Sequence, residues 1–112
     1  MHGDAGAAAT TDWWQIRDLY DQLLAVAPSP VAELNRAVAV AEVDGPDAGL
    51  VLVDALNLDG YHVFHAVRAD LLRRLDRPDE ATRAYARALD HTGNEAEQTF
   101  LRRMLGQVSA TS

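Results

Sequence analysis

Two histidines three residues apart, His62 and His65, are the first residues whose types and spacing could do chemistry, because a helix presents side chains at that spacing on one face, where two imidazoles could meet a metal ion. The third ligand is missing. Asp70 lies five residues beyond His65 and points elsewhere on a helix, and His91 belongs to a different element. His65 therefore reads better as a packed, hydrogen-bonded histidine, and His62 as a surface or groove residue. Arg68 shares their stripe. A cation directed at the core side needs a carboxylate or an open groove, and Glu42 or Asp70 could supply the pairing.

Asn35 and Arg36 pose the same choice in the middle of another apolar segment. Asn is a modest helix former, so Asn35 suggests a side-chain bond to a neighbouring helix, with partner recognition as the alternative. Trp14 falls among Arg17, Asp18 and Asp21, on a polar face where a large aromatic has no core to fill; it is either a partner anchor or a residue left uncovered by truncation. With Tyr61, these give seven candidate contact residues: Trp14, Asn35, Arg36, Tyr61, His62, His65 and Arg68. There is no phosphate-binding glycine loop, no paired carboxylates in a plausible pocket, and no Ser with a His and an acid at motif spacing. Without cysteine, a disulfide, a thiolate metal site and a Cys nucleophile are all excluded. The reading is of a non-enzyme with no cofactor.

The elements that position these residues are helical. The 112 residues, 48% of them apolar, suffice for one domain with one core. Residues 1–11 are small and polar, a disordered lead-in or an expression remnant, and residues 109–112 should fray. Between them, over 12–108, six helices follow. The first spans about 13–27, with Asp12 as cap and a stripe of Trp13, Ile16, Leu19, Tyr20, Leu23, Leu24 and Ala27. Pro28 stops it. Ser29-Pro30 starts the second, which runs to about Val43 and is apolar on two sides, so it should be central.

Gly45-Pro46 opens the third helix, with Ala48, Leu52, Ala55 and Leu56 on one face. The fourth carries Tyr61, Phe64, His65, Arg68, Leu71, Leu72 and Leu75. Pro78 starts the fifth, in which Asp79 is placed to pair with Arg83, and Asn94 with Glu97 caps the sixth, striped by Phe100, Leu101, Met104 and Val108. Short turns make successive helices antiparallel neighbours. Ala48, Leu52, Ala55 and Leu56 match Ala81, Tyr85, Ala88 and Leu89 at an offset of 33, the small–large–small spacing of a tetratricopeptide second helix. The expected fold is all-α: antiparallel hairpins, helix two with three and four with five, stacked as a tetratricopeptide-like superhelix. A plain helical bundle would satisfy the same stripes.

A formal charge of −7 opposes phosphate binding, so no direct contact with nucleic acid is expected. No apolar run approaches the ~20 residues of a membrane helix, and the composition suits the cytoplasm.

Several strings together resemble one family. These are Asp12-Trp13-x-x-Ile16 with Leu19-Tyr20, Pro28-Ser29-Pro30-Val31, Leu34-Asn35-Arg36-Ala37-Val38-Ala39, and Tyr61-His62 followed by His65-Ala66-x-Arg68-Ala69-Asp70-Leu71-Leu72. They are similar to the C-terminal extension of bacterial extracytoplasmic-function RNA polymerase sigma factors that carry a tetratricopeptide-like domain. Asp76 departs from the Leu-Gly-Arg typical there, and the sigma regions that bind core polymerase and promoter DNA are absent from these residues. The resemblance implies a domain that regulates transcription initiation through contacts with sigma regions, core polymerase or a regulatory protein. Two other readings remain open: a free-standing adaptor that captures a peptide, and a small metal-dependent sensor or enzyme using His62 and His65. A repeat face left uncovered on the first helix would also be available to pair two copies of the chain.

Overall fold

The computed structural model describes residues 12–111, which form six α-helices and no strand: α1 (Trp13–Val26), α2 (Pro30–Asp44), α3 (Pro46–Asp54), α4 (His62–Arg74), α5 (Pro78–His91) and α6 (Glu95–Thr111). The lead-in expected over 1–11 lies outside the described residues. α6 is helical as far as Thr111.

The boundaries follow from local chemistry. Asp12 Oδ1 accepts the Gln15 N–H at 3.1 Å, Ser29 Oγ accepts that of Ala32 at 3.3 Å with Pro30 in the first turn, and Asn94 Oδ1 accepts that of Glu97 at 2.9 Å. Gly45, at φ 106°, turns the chain out of α2 and straight into α3. α4 closes differently. The Arg77 N–H reaches the Leu72 carbonyl at 3.0 Å and the Asp76 N–H that of Arg73 at 3.1 Å, a Schellman closure that puts Asp76 at φ 59°, where glycine is the usual residue. The closure after α4 thus holds a non-glycine residue, Asp76, in the left-handed region.

Ion pairs fix the direction of the helices. Arg17 of α1 meets Asp44 at the end of α2, and Asp21 meets Arg36 in its middle, so α1 and α2 are antiparallel. Glu42 and Arg74, near the C-terminal ends of α2 and α4, bond to each other; His62 and Glu97, in the first turns of α4 and α6, do the same. α2, α4 and α6 therefore run in parallel. The main packing is between helices adjacent in sequence, with a smaller contact between α2 and α4. The hairpins are stacked in series.

The core is drawn from α2 to α6: Leu34, Ala37, Leu50, Val53, Phe64, Leu72, Ala81, Tyr85 and Leu101 are among its buried members. α2 is central as expected, with Leu34, Ala37 and Ala41 and also Ala32, Ala39 and Val40 buried.

Three expected faces are displaced. On α3 the buried residues are Gly49, Leu50 and Val53, while Ala48, Leu52 and Leu56 are half-buried and Ala55 is exposed. Gly49 permits this because it meets Ala41 and Ala37 of α2 without a Cβ. The equivalence with α5 is accordingly Gly49 to Ala81 and Val53 to Tyr85, at the same spacing as Pro46 to Pro78, one residue short of the sequence alignment. On α6, Phe100 is exposed beside Arg103 while Leu101 and Val108 are buried. On α1 no residue is fully buried, and Leu19 and Leu23 lie on the surface.

Candidate partner-binding surfaces

The seven candidate residues lie in separate places. His65 and Arg68 are one turn apart on α4 and face the turn between α3 and α4, where a polar groove of about 380 Å³ is lined by Asp54, Leu56, Asp59, Phe64, His65, Arg68 and Arg87. The His65 ring is buried against Phe64 and His91, and its Nε2–H donates to the Asp59 carbonyl at 2.6 Å; that partner assigns the proton to Nε2. His65 is packed and hydrogen-bonded, as its place on the stripe suggested.

Arg68 is half-buried and pairs with neither expected carboxylate. Its Nε donates to Asp54 Oδ1 at 2.8 Å, at the end of α3. Glu42 and Asp70 are taken instead by Arg74, and Asp70 also by Arg73 at 2.6 Å. These bonds to Asp70 and Glu42 hold both arginines above the usual guanidinium range. Asp54 escaped sequence reasoning because the contact crosses from one hairpin to the next. Arg87 on α5 also escaped it: it lines the groove with no ion partner among the described residues, and nothing in the spacing of α5 distinguishes it from Arg83. The Asp79–Arg83 pair expected on α5 is replaced by Arg77 and Glu80, joined at 2.8 and 2.7 Å; that bond holds the Glu80 carboxyl below its usual range.

His62 faces away, towards α6. Its Nε2 lies 3.0 Å from Glu97 Oε2, Glu97 Oε1 accepts the Thr92 hydroxyl at 3.1 Å, and Thr92 Oγ1 accepts the Asn94 N–H at 3.2 Å. Tyr61 meets the His62 ring edge-on. This cluster joins α4 to the start of α6. Because His62 and His65 serve different partners, the pair does not converge on one point, and no group of three or more metal-ligating side chains occurs among the described residues.

At the other end, Arg36 bonds to Asp21 and lines a groove of about 450 Å³ with Leu24, Glu33, Leu52, Ala55 and Leu56. Asn35 is exposed on α2, with no side-chain bond to another helix among the described residues, so its expected structural role is not seen. The outward direction of its side chain is set by the burial of Leu34 and Ala37 on either side. Trp14 is 59% exposed, with the Arg17 guanidinium 4.8 Å from its ring centre.

No family model and no solved structure matches the chain. It is similar to an uncharacterized protein of Rhizobium meliloti (strain 1021), 40% identical over an alignment of 112 positions that covers 98% of this chain and 26% of that protein. The chain thus spans about a quarter of its relative's length. No helix among the described residues is long and apolar enough to cross a membrane.

Proposed function

We propose that this chain is a non-catalytic interaction and regulatory domain of the extracytoplasmic-function sigma-factor type, tetratricopeptide-like in its stacking, which modulates transcription initiation by contacting sigma regions or core polymerase. The observation that carries the reading is the parallel alignment of α2, α4 and α6, tied by Glu42–Arg74 and His62–Glu97. Serial stacking of hairpins leaves extended faces open to a partner, whereas a closed bundle buries them. The residues that carry the family resemblance lie largely on α1, α2 and α4, and a relative about four times as long accommodates further regions beside such a domain.

A net charge of −7 suits docking onto basic sigma regions, and Asp59 in the α3–α4 groove adds a carboxylate for it. The test is calorimetric titration of this domain with the core- and promoter-binding regions of an extracytoplasmic-function sigma factor from the same genome, at two salt concentrations. Binding that weakens with salt is expected. Absence of binding by a folded domain would overturn the reading and turn attention to a peptide-capturing adaptor.

A further inference from the structure

α1 carries a seam that nothing in the described chain covers. Ile16, Leu19, Leu23 and Val26 recur at steps of three, four and three, the a/d spacing of a coiled coil, and Leu19, Leu23 and Val26 are 55%, 47% and 84% exposed. Ile16, Leu19, Tyr20 and Leu23 line a shallow depression of about 440 Å³. We infer that this seam is a self-association surface, on which α1 of one copy packs antiparallel against α1 of a second copy.

Charge selects the occupant. The residues flanking the seam, at the positions where coiled coils place partner-selecting charges, are Gln15, Tyr20, Gln22 and Ala27, all uncharged. Of the charges that α1 does carry, Arg17 meets Asp44 and Asp21 meets Arg36, both on α2, while the exposed Asp18 lies off the seam, 4.0 Å from its neighbour Arg17. A basic partner would find no acidic rim here, whereas a second copy meets a surface identical to its own, with no like charges opposed. Antiparallel pairing about a two-fold axis sets Leu19 of one copy against Leu23 of the other and Ile16 against Val26, so every seam residue is matched. Residues 2–11 cannot fill the role, since none has an apolar side chain larger than alanine. A seam on one 14-residue helix falls short of the ~1,600 Å² of a standard interface, so the dimer is concentration-dependent. Because each copy bears −7, salt screens their repulsion and tightens it, the reverse of docking onto a basic partner.

Sedimentation equilibrium of the intact chain across protein concentration tests this. The apparent mass should rise from that of the monomer towards twice that value, more readily at high salt, and Leu19→Lys and Leu23→Lys should each remain monomeric with unchanged helicity by circular dichroism. In the natural cysteine-free background, Gln22→Cys near the two-fold axis should cross-link with a short bis-maleimide, while Asp90→Cys on α5 should not. A wild type that is monomeric throughout overturns the inference, as does a dimer that persists in both lysine variants. A monomer whose Leu19 and Leu23 become protected only when sigma regions are added would assign the seam to those regions and also overturn it.

Discussion

Gly49 of α3 lies so close to Ala41 of α2 that a Cβ built on it would sit 2.5 Å from the Ala41 Cβ and 3.0 Å from the Ala37 carbonyl oxygen. The two helices of the first hairpin approach each other there, at the position Ala81 takes in the second hairpin.

Gly49→Ala should therefore destabilise the fold, although alanine is the better helix former by about 1 kcal/mol. The new methyl meets backbone as well as a side chain, and overpacking of this kind costs about 1–3 kcal/mol. Urea unfolding should show a lower midpoint with an unchanged slope. A midpoint at or above that of wild type would mean the helices separate easily and are not locked at this point.

Asp76 is the opposite case. Its left-handed conformation is one that glycine adopts without strain, and the carboxylate forms no ion pair among the described residues. Asp76→Gly should stabilise the domain by about 0.5–1 kcal/mol, a modest rise in melting temperature. A loss of stability would show that the Schellman closure after α4 depends on the aspartate.

Replacing His65 separates packing from recognition. His65→Leu removes the donor to the Asp59 carbonyl while keeping an apolar body in the core, and should cost about 1–3 kcal/mol. Arg68→Ala, at a half-buried pair, should cost less than about 1 kcal/mol. Thermal melts of both variants give the comparison. If Arg68→Ala were the more damaging, the Asp54 pair would be a structural clamp and a poor candidate for partner contact.

Burial holds the Tyr85 phenol above its ordinary value near 10, against the opposing pull of a hydrogen bond with Arg73. The unfolded chain then loses this proton first as pH rises. Tyr85 stability is thus fully present below about pH 10 and declines above it, towards the folded-state pKa. Melting temperatures between pH 8 and 11 should fall more steeply for wild type than for Tyr85→Phe. Parallel curves would remove the buried phenol from the account.

How much of this was legible in the sequence depended on how local the determining physics was. Asp12, Ser29-Pro30, Gly45-Pro46, Pro78 and Asn94 act on their own turns, so they marked five helix starts within a residue. The face of α3 was misplaced because Leu50-Val-Leu-Val53 is apolar all round, and the choice was made by the contact of Gly49 with α2. The burial of His65 was legible from its stripe. Asp54 as the partner of Arg68, Arg87 in the groove and Glu97 beside His62 were not, since each depends on how hairpins stack across 14 to 35 residues of sequence or on which side chains the stacking leaves unpaired.

The central claim, that the domain regulates initiation by contact, is tested most directly by in vitro transcription with a sigma factor of this type, carrying or lacking this domain, on one promoter and with equal amounts of polymerase. The account predicts a change of several-fold in open-complex formation when the domain is removed, restored when it is added back in trans. Equal initiation with and without it, together with no measurable binding to sigma regions or polymerase, would contradict the account.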